Sequence, residues 1–70
     1  MENAKVENGY IIRGLDGEIA CDSGDAMIFP EYGKATGVLS LMDTAYWRLE
    51  GPADYLVGYV DGYRRIEDAQ

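Results

Sequence analysis

The segment Tyr55–Ile66 constrains the fold of this chain most strongly, because it places a tight-turn dipeptide between two strand-forming runs. Asp61-Gly62 is flanked by aromatic and β-branched residues, which is the strongest short-range signal for a β-hairpin. A two-residue turn at this dipeptide pairs Tyr59 with Arg64. It predicts a core-facing side of the hairpin formed by Tyr55, Val57, Tyr59, Arg64 and Ile66.

A second hairpin is predicted nearer the N-terminus, where Asp16-Gly17 separates Tyr10–Leu15 from Glu18–Cys21. A two-residue turn here gives one nearly apolar face and one mixed face, which is the pattern of an antiparallel sheet with one side buried. The mixed face contains Ile11 and Leu15. The apolar face predicts a buried cysteine, and its members are Tyr10, Ile12, Gly14, Ile19 and Cys21.

The middle of the chain predicts a helical segment. Pro30 suits the first turn of a helix, where its missing N–H group is not needed. Apolar residues then recur at helical spacing through residues 31–42. Part of this stretch is also typical of a buried strand, so residues 34–42 remain open between helix and strand. In the helical alternative, Gly33 and Gly37 share a face and let the helix lie close to the sheet.

A short second helix is predicted at Thr44–Glu50. Asp43 precedes it as a candidate N-cap residue, and Gly51-Pro52 follows it as a stop signal. The resulting order is β-β-α-α-β-β, an α+β fold with the helical segment on one face of an antiparallel sheet. The chain length predicts one domain, residues 9–67, after a flexible lead-in of residues 1–8.

The residue inventory argues against an enzyme. The 70 residues include one cysteine and no histidine. The commonest general base is therefore absent, and no Ser-His or Cys-His nucleophile can be assembled. Zinc sites need several Cys or His ligands, and the acids of residues 16–25 do not match the spacing of a calcium-binding loop. We therefore predict no catalytic residue, no metal and no cofactor.

The net charge restricts the class of partner. Thirteen acidic residues against six basic ones give −7. Direct binding to nucleic acid or to an anionic membrane is disfavoured, because both require clustered Lys and Arg. Attraction to a basic protein surface is favoured. No apolar run is long enough to span a bilayer, and Met1–Lys5 is polar, so we expect a soluble cytoplasmic protein.

Acidic residues are concentrated in two stretches. Between Gly14 and Gly33 there are five acids and no base, and a second series follows in residues 43–54. These acids either keep a small domain soluble or form a negative surface that occupies a basic nucleic-acid-binding groove beside an aromatic anchor. The second interpretation predicts a partner-binding set composed of Asp16, Glu18, Asp22, Asp25, Glu31, Tyr32, Asp43, Glu50 and Asp54.

Length, charge, the Asp-Gly hairpins and the acidic stretch Asp16–Glu31 together resemble the small inhibitor proteins of phages and mobile elements, above all anti-CRISPR proteins. This resemblance implies a non-enzymatic inhibitor in the cytoplasm of a bacterial host cell. It implies binding to a Cas subunit, with type I systems favoured, at the surface that would otherwise hold DNA.

Another class of function fits the same composition. The alternative is a small structural or assembly protein of phage or bacterial origin that adds a strand to a partner sheet, or a homodimeric adaptor. A free strand edge would favour the first of these, and the mixed face with Ile11 and Leu15 is the expected dimer contact. The predicted oligomeric state is a monomer or a weak homodimer.

Overall fold

The computed structural model describes residues 5–22, 25–57 and 63–65. Two long strands dominate it, and one helix lies between them in the sequence. The elements in chain order are β1 (Lys5–Gly14), β2 (Cys21–Asp22), β3 (Asp25–Ala26), α1 (Tyr32–Leu39), β4 (Trp47–Val57) and β5 (Arg64–Arg65).

The principal sheet has the strand order β1-β4-β5, and both pairs are antiparallel. β1 and β4 pair along their whole length, from Lys5 opposite Val57 to Gly14 opposite Trp47. β2 and β3 form a separate two-stranded ribbon, and α1 packs against β1 and β4. The fold is therefore α+β. The predicted lead-in 1–8 is wrong for residues 5–8, because they pair with residues 54–57.

The predicted second helix, Thr44–Glu50, is wrong. Residues 44–46 form a turn, and β4 begins at Trp47 and continues through Gly51-Pro52. The order β-β-α-α-β-β is replaced by β-β-β-α-β-β. The sequence signal failed because Gly51 and Pro52 form a β-bulge within β4 and do not end a helix. Tyr10 on β1 lies opposite both residues. Proline is tolerated in sheets at such irregularities.

The bulge brings two backbone segments very close together. Gly51 has φ +129°, and a Cβ atom at this position would lie 2.7 Å from the carbonyl oxygen of Gly9. At Gly9, a Cβ atom would overlap the carbonyl oxygen of Phe29. Both positions therefore require glycine, because the neighbouring atoms belong to the backbone and cannot rotate away.

The N-terminal hairpin turns at the predicted place with a different register. The N–H of Gly14 donates to the carbonyl of Glu18 at 2.9 Å, and Arg13 pairs with Ile19. The turn thus has three residues, 15–17, and ends at Gly17 with φ +92°. Shifting the register by one residue exchanges the two faces of the return strand. Accordingly Ala20 is buried, and the prediction of a buried Cys21 is wrong because Cys21 is exposed.

The helical alternative is confirmed for residues 34–39. α1 ends at Leu39 with Ser40 as its C-cap residue, and residues 40–42 form a turn that is neither helix nor strand. Ala35 is its buried residue and has no exposed surface. The predicted close approach through Gly33 and Gly37 is wrong, because both face open space, and a Cβ atom added at either would have no neighbour within 4 Å. The sheet instead meets the helix along the face that contains Ala35.

The C-terminal hairpin is antiparallel as predicted, but its register differs. Tyr55 lies opposite Arg65, and Leu56 lies opposite Arg64. The predicted pairing of Tyr59 with Arg64 is therefore wrong. The turn dipeptide Asp61-Gly62 lies outside the described residues, as do Tyr59 and Ile66.

The core lies where the paired strands β1 and β4 pack against α1. Ile11, Ile12 and Tyr55 are completely buried. Consecutive side chains of a strand point to opposite faces, so β1 is covered on both faces at Ile11-Ile12. Burial of Ile11 takes this residue out of the expected dimer contact, whereas Leu15 remains exposed and the homodimer stays a prediction. The N-terminal hairpin is consequently anchored at its base, and its turn projects beyond the core.

Candidate protein-binding site

The turn of the N-terminal hairpin carries two exposed carboxylates that converge on one hydroxyl group. The hydroxyl of Tyr46 donates a hydrogen bond to Oε2 of Glu18 and lies 3.2 Å from Oδ2 of Asp16. A phenol has a single hydrogen to donate, so the two acceptors compete for it. The hydroxyl of Tyr46 therefore lies between two carboxylates at the surface and donates to Glu18 in the shorter contact.

Asp43 sets the position of Tyr46. Its carboxylate accepts the N–H of Ala45 at 3.0 Å, and its carbonyl accepts the N–H groups of Tyr46 and Trp47 at 3.0 and 2.8 Å. Asp43 thus stabilises a turn that leads into β4, in place of the predicted helix N-terminus. The side chain of Asp43 is exposed, and Asp43 precedes Tyr46 by three residues.

The ring of Tyr46 packs over a position where the backbone has no side chain. A Cβ atom on Gly14 would lie 2.5 Å from Cε2 of Tyr46 and 2.7 Å from Oε1 of Glu18. Tyr46 is also in edge-to-face contact with Trp47, with ring centroids 5.0 Å apart. Glycine at position 14 therefore permits the approach that brings the phenol to the acidic turn. We call Asp16, Glu18, Asp43 and Tyr46 the turn cluster.

The ionisation of the turn cluster reflects these contacts. The hydrogen bond from Tyr46 lowers the pKa of Glu18, and backbone N–H groups act in the same direction. The same hydrogen bond, with partial burial and the charge of Asp16, raises the pKa of Tyr46 to about 12. At neutral pH the carboxylate is thus ionised and the phenol is protonated, which is the state that keeps the cluster negative.

The raised pKa of Tyr46 provides a direct test of the cluster. We expect Glu18→Gln to bring the pKa of Tyr46 down from about 12 toward the ordinary tyrosine value of about 10, because the amide is an uncharged acceptor. Site-resolved titration of tyrosine ¹³Cζ shifts by NMR measures this change. A pKa of Tyr46 that is identical in the two proteins would contradict the hydrogen bond.

Asp22, Glu31 and Tyr32 of the predicted set are also exposed, but they do not contact the turn cluster in the described structure. The register of β2 and β3 sets Asp22 opposite Asp25, and Asp22 is exposed. Glu31 precedes α1 with no side-chain capping bond and is also exposed. Tyr32 is 60% exposed, with its ring edge-on to Tyr10 at 5.4 Å.

Asp54 lies away from the turn cluster. It accepts a hydrogen bond from the amide of Asn8 at 2.8 Å, near the opposite end of β4. Six residues of β4 lie between it and Trp47, which corresponds to a distance of at most about 23 Å. Asp54 therefore cannot contact the same few partner residues as Asp16 and Glu18.

Glu50 is occupied within the protein. Its carboxylate accepts a hydrogen bond from Nε of Arg13 at 2.7 Å, lies 3.6 Å from Nε of Arg65 and accepts the hydroxyl of Tyr55 at 3.3 Å. Burial alone would raise the pKa of Glu50, but the two guanidinium groups and the phenol lower it overall. We assign Glu50 to the stabilisation of the sheet and leave it out of the partner-binding set.

Sequence reasoning missed the role of Tyr46 because the contact spans 28 residues, between a turn and a segment that was predicted to be helical. It also misplaced Glu50, whose partners are visible only after β4 is recognised as a strand. No local pattern marks either contact. The dipeptide Asp16-Gly17 was the available signal for the turn, and it located the turn correctly.

Comparison with protein-family models, with curated proteins and with solved structures gives no match for this chain. Within the part of the chain that the structure describes, no helix has the length and apolar character needed to cross a membrane. Among the same residues, no three acids or cysteines come together as a metal-binding group.

Proposed function

We propose that this chain is a non-enzymatic inhibitor that binds a basic nucleic-acid-binding surface of a target protein. The observation that supports it is the turn cluster, in which Asp16 and Glu18 are exposed, adjacent and held by Tyr46. Exposed carboxylates accept charge-assisted hydrogen bonds from the Arg and Lys side chains that otherwise hold phosphates. The resemblance to anti-CRISPR proteins makes a DNA-binding Cas subunit, type I first, the target to test.

The surrounding charge favours this function over direct binding to nucleic acid. Two of the six basic residues, Arg13 and Arg65, lie against Glu50 and are directed into the protein's own sheet. Between Gly14 and Gly33 the sequence contains five acids and no base. Steering toward a basic groove would therefore raise the association rate, and the pair at the turn would supply directional contacts.

The test is DNA binding by purified type I surveillance complexes in the presence of this protein. We expect Asp16→Asn/Glu18→Gln/Asp22→Asn to weaken inhibition by more than about 100-fold, because each charge-assisted hydrogen bond lost from a desolvated contact weakens binding by roughly ten-fold or more. Inhibition by the unmodified protein should also weaken as the salt concentration rises.

A charge-matched control separates position from net charge. The variant Asp54→Asn/Glu67→Gln/Asp68→Asn also removes three of the thirteen acids, so both triple variants change the net charge from −7 to −4. We expect the control to inhibit within about three-fold of the unmodified protein. Equal losses in both variants would show that only overall charge matters. Unchanged DNA binding with every complex tested would reject the proposed target.

A further inference from the structure

The outer edge of β1, the edge that does not pair with β4, is covered by short segments in succession. The backbone of Gly14 bonds to Glu18, the carbonyl of Ile12 accepts the N–H of Ala20 at 2.9 Å, and Tyr10 exchanges two 2.8 Å hydrogen bonds with Phe29. In an antiparallel strand, every second residue directs its N–H and C=O to the same edge. Gly14, Ile12 and Tyr10 therefore point outward, and so do Asn8 and Val6.

This alternation is preserved along β1 because the bulge belongs to β4. On β1 one residue, Tyr10, lies between Gly9 and Ile11. On β4 two residues, Gly51 and Pro52, lie between the partners Glu50 and Ala53, so the extra residue is on β4. The backbone groups of Val6 and Asn8 consequently lie on the outer edge. Among the described residues, none pairs with them.

Pro30 explains why the covering strand stops. After Phe29 the chain passes alongside Gly9 at Pro30, which has no N–H to donate to the sheet. The chain then turns away and enters α1 at Tyr32. The edge of β1 beyond Tyr10 is thus left with two outward-pointing residues and four unpaired backbone groups in the described structure.

The side chains around this edge suit an extended peptide with cationic residues. Val6 on this edge is 56% exposed, and Tyr32, whose ring contacts Tyr10, is 60% exposed, so apolar side chains are accessible there. Glu7 and Glu31 are available as anionic partners, since the 3.9 Å contact of Glu7 with Lys5 joins two exposed side chains and contributes little. An aromatic ring beside an exposed acid can bind Lys or Arg by cation–π and ionic contacts.

Resting on the proposed function, we infer that an extended basic segment of the target adds to β1 as an antiparallel strand, pairing with Val6 and Asn8. The net charge of −7 favours a basic segment over a second copy of this chain, because two copies would repel each other. Lys5 disfavours a cation directly opposite itself. The cationic side chain of the segment therefore lies opposite Glu7, where the two Cβ atoms of a non-hydrogen-bonded pair come closest.

The first test uses a peptide probe, Lys-Val-Lys-Val-Thr-Val-Thr, whose third residue can lie opposite Glu7 while the neutral fifth residue lies opposite Lys5, and it follows the ¹⁵N amide shifts of this protein. We expect the largest shifts at Val6 and Asn8, and no such shifts with a peptide in which alternate backbone nitrogens are methylated. We expect Val6→Pro to weaken peptide binding about ten-fold, because it removes one outward N–H. The N–H of Val6 does not belong to the β1–β4 ladder, so proline is compatible with the folded strand.

Val6→Thr is the matched control, because it keeps the N–H group and a β-branched side chain, and it should bind the peptide like the unmodified protein. Shifts confined to Asp16 and Glu18, with equal binding of the methylated peptide, would overturn pairing at β1 and leave the acidic inhibitor intact. Absence of any shift at millimolar peptide would also overturn pairing at β1. Failure of the proposed function is recognised separately, by triple acid variants that inhibit equally.

Discussion

Replacing Gly51 by alanine is expected to lower the free energy of unfolding by about 3 kcal/mol or more. A side chain at φ +129° is strained by about 1–3 kcal/mol. The new Cβ would also lie 2.7 Å from the carbonyl oxygen of Gly9 and 3.1 Å from Cα of Tyr10, so backbone must move. The total free energy of unfolding of a domain of this length is about 4–10 kcal/mol. Urea unfolding followed by the fluorescence of Trp47 measures the loss.

Two other glycines provide the control for this substitution. Gly33 and Gly37 lie in α1 and face open space, so alanine there should stabilise the helix by about 0.5–1 kcal/mol at each site. If alanine lowers the free energy of unfolding at Gly51 and raises it at Gly33, the close backbone approach at Gly51 is the cause of the loss. A Gly51→Ala protein as stable as the unmodified one would contradict the bulge geometry.

Replacing Glu50 by alanine is expected to lower the free energy of unfolding by about 2 kcal/mol at pH 7. The change removes the acceptor of Arg13 and Tyr55 and leaves two guanidinium groups near each other. The side chains of Glu50 and Arg13 are 23% and 30% exposed. The effect should therefore fall between the 0–1 kcal/mol typical of exposed pairs and the 3–5 kcal/mol typical of fully buried ones.

Glu7→Ala is the matched control, because Glu7 also pairs with a base on β1 but at 3.9 Å and in solvent. Glu7→Ala should lower the free energy of unfolding by less than about 0.5 kcal/mol. A loss at Glu7 equal to the loss at Glu50 would show that the partly buried cluster has no special role in stability.

The same cluster predicts the direction of the pH dependence. The pKa of Glu50 is lower in the folded protein than its ordinary value of 4.5, so folding favours the ionised form. Its stabilising contribution is complete above the ordinary value and is lost as the pH falls through the folded value. The stability difference between the unmodified protein and Glu50→Ala should therefore shrink from pH 7 to about pH 3. A difference that grows over this range would contradict the ion pairs.

Local turn chemistry was predictable from the sequence, but register was not. Asp16-Gly17 lies in a turn as expected, and Gly17 has the positive φ that its position requires. A third residue in that turn moved the return strand by one position, which exposed Cys21 and buried Ala20. A two-residue and a three-residue turn look alike in sequence, because Leu15 is compatible with either a strand end or a turn.

The largest error arose where a strong local signal has two structural meanings. Gly51-Pro52 ends helices, and it also fits a bulge in a strand. Residues 47–57 form a strand with a bulge, and not a helix end, because they pair with β1, some forty residues earlier in the chain, and because Gly51 approaches Gly9 closely. Asp16 and Glu18 could be named as candidate contacts from the acidic stretch alone. Their attachment to Tyr46 could not, since that contact depends on where β4 begins.

The strand order β1-β4-β5 has a consequence for how this chain acquires its structure. The middle strand of the sheet, Trp47–Val57, is separated from its partner Lys5–Gly14 by residues 15–46. Closing so long a loop is slow, because chain entropy is lost before the long-range contacts form. During synthesis the first hairpin and α1 are made before β4, so Ile11 and Ile12 at first lack their neighbouring strand. The pairing of β1 with β4 begins only after β4 has been made.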